Sequence, residues 1–262
     1  MTIAPELDEL ADRLVAARRD GQQIQTLPPE LVPADTDGSY TVNRLVAERL
    51  DWPVLGWKIA GTTDEVRRKL NLSSPIYGRT FQRHVMRSPA SMVIETLLDP
   101  LVECEFFVTL GQDLPPREAP WTMEEVIAAI DTVHAGIEVA ECRFPTTLMP
   151  PLTAVLADGS ASGHYVFGGE LPDWRAGLAD VEVVLEIDGT PKRFGRGSDV
   201  MGDPLAPLLW LANIRRDWGD GLRAGETIST GSTTGMLPIR REQTVRATFG
   251  GQATVEIAFT NG

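Results

Sequence analysis

Dense basic charge is scarce in this chain, and so is cysteine. Lysine and arginine number 24 against 37 aspartates and glutamates, a formal net charge of −13 over 262 residues. Its dense basic spots are Arg67-Arg68-Lys69, Arg215-Arg216 and Arg240-Arg241, which read as solvated faces. Nucleic acid and anionic membrane surfaces are held by clustered cations, so this balance excludes both as partners. Cys104 and Cys142 lack the spacing of a disulfide framework and fall in predicted strands. Glu6, Asp8, Glu9 and Asp12 break up any signal-like apolar stretch at the N-terminus, and a reducing cytoplasm is expected. No segment reaches the ~18 apolar residues needed to span a bilayer. Gly195-Arg196-Gly197 with Gly202 does not make G-x-G-x-x-G, and no Walker A sequence occurs. Gly159-Ser160-Ala161-Ser162-Gly163 has alanine where a nucleophile elbow needs serine. His84, His134 and His164 show no metal spacing, and His134 reads as a helix C-terminal residue.

A chain that is 42% hydrophobic and 23% charged can bury a substantial core, as one large domain or a small and a large one. Leu7, Leu10, Ala11, Leu14 and Val15 fall on one helical face stopped at Gly21, and a second helix carries Val42, Leu45, Val46 and Leu50 up to Pro53. Residues 54–60 then read as a buried strand with one charge in it, Lys58. Thr62-Thr63-Asp64-Glu65 predicts a short helix through Leu70, and 74–79 an exposed loop. From Met92 the pattern turns to strands. Thr122 and Glu125 cap a helix running to about His134, followed by a strand over 136–143. A hairpin turns at Asp188-Gly189, Asp203-Pro204 opens a helix that ends near Gly219, and strands at 226–230, 243–249 and 253–259 close the chain. The expected division is a helical and loop part, 1–91, and a β-rich domain, 92–262.

Within that domain Val102-Glu103-Cys104-Glu105-Phe106 places two carboxylates two residues apart in an apolar run. An extended strand sends both to one face, about 7 Å apart, where ionised carboxylates repel unless a cation lies between them. Taken alone, Glu-x-Glu is also the pattern of a solvated strand face. Ile137-Glu138-Val139 offers a third acid in another short extended run, and an all-oxygen set of this kind suits Mg²⁺ or Mn²⁺. Lys58 either snorkels out of its strand or meets an anion.

Taken in order, these residues resemble the fumarylacetoacetate hydrolase superfamily, in its 2-keto-4-pentenoate hydratase branch. The resemblance spans roughly residues 40 to 260. It rests on Gly56-Trp57-Lys58-Ile59, Glu103-Cys104-Glu105, Ile137-Glu138-Val139 followed by Arg143, Gly202-Asp203-Pro204-Leu205 with Trp210-Leu211-Ala212-Asn213, and Ala224-Gly225-Glu226 leading to Gly231-Ser232-Thr233-Thr234-Gly235. It implies a mixed α/β, β-rich fold, a mixed β-roll with a smaller N-terminal part, assembled as a homo-oligomer. It also implies a Mg²⁺ or Mn²⁺ ion held by Glu103, Glu105 and Glu138, Lys58 and Glu105 as catalytic groups, and Arg143, Ser232 and Ile76 at the substrate. The implied substrate is a small 2-oxo or 2-hydroxydienoic acid, and the implied reaction is hydration through an enol chelated by the ion. Decarboxylation or C–C hydrolysis within the superfamily is the alternative, and a non-catalytic 2-oxo acid binder the third reading. Two departures bear on the substrate. Ile76 stands where many hydratases of the branch carry an acid, and Gly159-Ser160-Ala161 where they carry Asn-Ala-Ser.

Overall fold

The computed structural model describes residues 3–217 and 221–262. Two helices come first, α1 (Pro5–Asp20) and α2 (Thr36–Leu50), packed against each other. Gly21 ends α1 in the left-handed conformation, and the Asp35 side chain caps α2 by accepting from the Gly38 N–H. Next in chain order come β1 (Val54–Ala60), α3 (Asp64–Leu70), β2 (Ile76–Phe81), β3 (Val85–Arg87), β4 (Ala90–Val93) and β5 (Leu101–Leu110). They are followed by α4 (Met123–Ala129), β6 (Ile130–Ala140), α5 (Leu152–Ala157), β7 (His164–Glu170), β8 (Glu182–Ile187) and β9 (Thr190–Arg196). The chain closes with α6 (Ala206–Asp217), β10 (Thr227–Ser229), β11 (Leu237–Pro238), β12 (Thr244–Phe249) and β13 (Ala253–Thr260).

Among the described residues these strands make two mixed sheets. The larger runs β2-β1-β10-β5-β6-β7-β3 with β11 beside β5, and the smaller β4-β13-β12-β8-β9. The segment 1–91 therefore contributes β1, β2 and β3 to the larger sheet besides its helices. Alternation along β5 divides its residues sharply. Val102, Cys104, Phe106 and Val108 face the smaller sheet and share a core with Val183, Leu185, Val245, Ala247, Val255 and Ile257. On the other side α1, α2 and α5 form a second core, with Leu10, Leu14, Val42, Val46 and Ala154 packed around Phe81 and Phe144.

Several expectations are corrected. The exposed loop expected over 74–79 is largely strand β2, with Ile76, Tyr77 and Gly78 buried and hydrogen-bonded to β1. The helix capped by Thr122 has the expected reciprocal capping box but stops at Ala129. Ile130 to His134 are strand because they pair with β5, Ile130 opposite Leu110 and His134 opposite Phe107, and the β-branched Ile130, Thr132 and Val133 suit that ladder. His134 is thus a mid-strand residue, and Cys142 lies just beyond β6. Asp203 accepts from the Leu205 N–H ahead of α6, whereas Gly219, the expected end of that helix, lies outside the described residues.

Gly78 shows how closely the layers meet. It pairs with Lys58, and a Cβ added there would lie 2.1 Å from the carbonyl oxygen of Gly159, in the loop after α5. Gly78→Ala must therefore push that loop outward, and we expect a loss of about 1–3 kcal/mol, the usual cost of overpacking, read as a fall in melting temperature. An unchanged melting temperature would mean the loop is not held against β2.

Candidate active site

The strand register gathers the acidic residues and the lysine on one face. Glu103 stands directly opposite Glu138, and Glu138 opposite Tyr165. On the other flank Phe107 pairs with Ser229 and Ser229 with Lys58. Cross-strand partners point to the same side of a sheet, so Lys58, Glu103, Glu105, Glu138, Ser229 and Tyr165 converge on the side facing away from the smaller sheet. Ile76 pairs with Ala60, two residues beyond Lys58, and joins this face.

Lys58 does not snorkel. Its Nζ lies 2.9 Å from Glu138 Oε1, with the two side chains 1% and 0% exposed. Tyr165 donates its hydroxyl hydrogen to the same oxygen at 3.2 Å, and Ser162 Oγ lies 3.0 Å from the tyrosine hydroxyl. Glu105 Oε2 accepts from the Ser229 hydroxyl and from the Gly231 N–H at 2.9 Å. Gly231 has φ +105, and a Cβ there would meet Thr62 Oγ1 at 2.5 Å, so only glycine can present that N–H. The segment carrying it is laid along β5 by Thr230 N–H to Phe106 O, 3.1 Å, and Thr233 N–H to Cys104 O, 2.9 Å. That brings Ser232 to the glutamate pair.

One ammonium against three buried carboxylates is an unbalanced cluster. Burial pushes the Glu103 carboxyl up to about 7, with Lys58 pulling it down and the Glu138 charge adding to the rise. Glu105 is driven well above the ordinary carboxylate range by burial and then by the charges of Glu138 and Glu103. Burial works against the Lys58 charge, but Glu138, Glu103 and Glu105 together hold its pKa above the ordinary lysine value.

Four polar atoms of this face, Glu103 Oε1, Glu138 Oε2, Ser232 Oγ and Thr80 Oγ1 of β2, are buried without a hydrogen-bond partner among the described residues. Buried polar atoms without a partner call for an explanation, a bound ion or water among them, and Arg18 Nε and Trp121 Nε1 share that state away from this face. The carboxylate donor set suits a hard divalent cation in kind, and the two orphan carboxylate oxygens have lone pairs to offer it. Among the described residues, however, no three His, Cys, Asp or Glu side chains stand in a ready coordination geometry. Glu138 is drawn to Lys58 and Tyr165, and Glu105 to Ser229 and Gly231.

Arg143 is not brought into this cluster. Its Nε bonds Asp158 at 3.0 and 3.1 Å, and its guanidinium donates to the carbonyls of Ser162, at 2.7 Å, and Glu141. Arg18 of α1 reaches the same aspartate at 3.1 Å. Asp158 thus ties the loop after α5 to two arginines. Tyr165, Ser229 and Asp158 are not singled out by sequence, and Gly231 and Ser162 occur there only within quoted stretches, with no site role. Their signal is register and long-range contact, which single-strand periodicity does not carry.

Fold and site together define a β-rich protein with a buried carboxylate and lysine centre on one sheet face. Residues 70–261 match the family described as Fumarylacetoacetate (FAA) hydrolase C-terminal, and the chain belongs to this family. The match begins after β1, so Lys58 lies outside it. The chain is 28% identical over 256 residues to a 2-keto-4-pentenoate hydratase of Paraburkholderia xenovorans, covering 96% of this chain and 94% of that one. It is also 28% identical over 242 residues to a 4-oxalocrotonate decarboxylase of Pseudomonas putida, covering 88% and 87%. Among solved structures, a 4-oxalocrotonate decarboxylase from Pseudomonas putida G7, complexed with magnesium and adipate, superposes with a TM-score of 0.89 at 24% identity, covering 99% of this chain and 98% of that one. The β-rich fold expected from the sequence is the one observed.

Because the fold raises the Glu105 pKa, ionising this group costs stability. The cost is absent below the ordinary carboxylate pKa and grows as pH rises. Glu105→Gln, which keeps an acceptor for Ser229 and Gly231, should therefore melt higher than wild type in EDTA at neutral pH, by about 2–4 °C per kcal/mol recovered. The gain should vanish in acid. An equal or lower melting temperature at neutral pH would mean that Glu105 carries no unfavourable charge.

Proposed function

We propose that this chain is a divalent-metal-dependent hydratase of a small 2-hydroxydienoic acid. The observation that carries the reading is the buried Lys58–Glu138 pair beside Glu103 and Glu105, with carboxylate oxygens left unpartnered. Relatives named 2-keto-4-pentenoate hydratase and a structural neighbour complexed with magnesium support it. In this reading Glu103, Glu105 and Glu138 hold Mg²⁺ or Mn²⁺. The ion, when bound, supplies Lewis-acid charge for the substrate's carboxylate and adjacent C2 oxygen.

The residues of the chain do the rest. Lys58 places an ammonium, already desolvated and fixed, where negative charge grows on the C2 oxygen as the enol ketonises. Ketonisation takes the proton from the C2 hydroxyl and adds one at C5, leaving a C3=C4 bond conjugated to the C2 carbonyl. Water oxygen then adds at C4 and a proton at C3. Glu105, with Oε2 held by Ser229 and Gly231, is the carboxylate assigned to proton exchange with the substrate. Ser232 Oγ, buried and unpartnered, supplies a hydrogen bond to the bound acid. Ile76 replaces an acidic wall by an apolar one, which favours an acid with an apolar tail. Arg143 acts on this site through Ser162 and the loop.

Decarboxylation of a 2-oxo acid through the same enol is the second reading, favoured by the similarity to 4-oxalocrotonate decarboxylase. We also infer a cytoplasmic homo-oligomer. Phe194, 72% exposed on the edge strand β9, is a side chain that assembly would cover. Among the described residues no helix is long and apolar enough to cross a membrane.

With Mn²⁺ and a 2-hydroxydienoate, we expect a 4-hydroxy-2-oxo acid by NMR. Release of CO₂ from a dicarboxylic analogue without hydration would select the decarboxylase instead. Lys58→Met should lower kcat by about 10²-fold or more, the scale of one lost oxyanion donor, while Mn²⁺ still raises the melting temperature. Full turnover in that variant would remove Lys58 from the chemistry. Ser232→Ala should raise KM more than it lowers kcat, and equal losses in both would contradict its role in binding.

A further inference from the structure

Tyr165 has no part in the chemistry above, yet its hydroxyl lies inside the cluster. It sits on β7 opposite Glu138, is 1% exposed, and packs edge-on against Phe107 with ring centroids 5.9 Å apart. A phenol has a single hydrogen, and an ionised carboxylate can only accept. Since the hydroxyl donates to Glu138 Oε1 at 3.2 Å, the 3.0 Å contact with Ser162 must run the other way, serine donating to tyrosine.

The chain of donors continues outward. The Ser162 backbone is held by its N–H on Gly159 O, 3.2 Å, and by Arg143 on its carbonyl, 2.7 Å, with Arg143 anchored on Asp158. The direction Ser162 to Tyr165 to Glu138 therefore starts from a fixed backbone. At its end Lys58 and Tyr165 both occupy Oε1 of Glu138, while Oε2, equally buried, has no partner. A carboxylate free to rotate could exchange its two oxygens. Two donors on one of them remove that freedom.

We propose that Tyr165 is a positioning residue for the divalent ion, securing Oε1 of Glu138 together with Lys58 so that Oε2 is the oxygen this glutamate offers to the metal. The assignment rests on the metal-binding reading of the three glutamates. Hydrogen-bonding partners that orient a ligating side chain are worth about 10- to 100-fold in metal affinity or activity. Because Ser162 acts only through the tyrosine hydroxyl, its removal should matter only while that hydroxyl is present.

The test is an Mn²⁺ titration of the EDTA-stripped full-length protein, with free ion read by electron paramagnetic resonance, on wild type, Tyr165→Phe, Ser162→Ala and the double variant. Phenylalanine keeps the ring volume and its packing on Phe107. We expect Tyr165→Phe to raise the Kd for Mn²⁺ by about ten-fold or more and Ser162→Ala to raise it by less. The double variant should match Tyr165→Phe alone. A Tyr165→Phe Kd within about two-fold of wild type, or a double variant whose losses simply add, would overturn the proposal. Should Tyr165→Phe fail to fold, Ser162→Ala decides, and an unchanged Kd there overturns it. If wild type takes up no Mn²⁺ at all, the metal reading fails first and the proposal falls with it, before any variant is compared.

Discussion

Everything around the centre of this protein follows from burying one lysine with three glutamates. Removing each charge from water costs on the order of several kcal/mol, and a single ammonium cannot offset three carboxylates. The surroundings respond where they can. Glu138 takes the lysine and a tyrosine, Glu105 takes a serine and a backbone N–H, and the Glu103 carboxyl is pushed up to about 7 chiefly by burial. Glu103 Oε1 and Glu138 Oε2 are left over. A cluster tuned only for stability would be better filled with apolar side chains, and the metal-binding role proposed above accounts for the retained charge.

The two faces of the larger sheet divide the work. The face toward the smaller sheet is apolar, and it stabilises the fold by removing Val, Ile, Leu and Phe side chains from water. Its opposite face carries the charges, and β5 serves both through alternation alone. The loop after α5 shows what this arrangement costs. Ser160 and Ala161 are held at φ 58 and φ 60, a left-handed conformation that costs about 1 kcal/mol or more for each such residue. Asp158, gripped by Arg143 and Arg18, is the restraint that keeps the loop there, and Ser160 adds a hydrogen bond to Tyr77 O. The strained turn sets Ser162 beneath Tyr165. In this way α1, at the start of the chain, bears on the site through Arg18.

Much of the centre was legible in sequence because period-two alternation is local. Glu103 and Glu105 had to share a face once the run was extended, and a lysine in an apolar strand had to meet an anion or reach water. Pro75 and Gly78 are local breakers, so the sequence predicts a loop where the fold has strand β2. In the fold Gly78 is required by the approach of Gly159, a contact between residues 81 positions apart that no local pattern announces. The helix predicted from Thr122 overruns into residues 130–134, where neither Gly nor Pro marks its end, although Ile130, Thr132 and Val133 favour an extended chain that pairing with β5 then fixes.

What the sequence by itself determined is the chemistry available: three acids and a lysine in apolar runs, an excess of negative charge, and the order of motifs that places the chain in its family. What only tertiary structure decided is pairing. Register sets Glu103 opposite Glu138, side-chain geometry gives Glu138 to Lys58 and Tyr165, and long-range hydrogen bonds claim Arg143 for Asp158. The physical reason is that residue type and periodicity fix which groups are buried and on which face. Which of those groups touch depends on the registers of several strands at once, and these are set by the packing of the whole molecule.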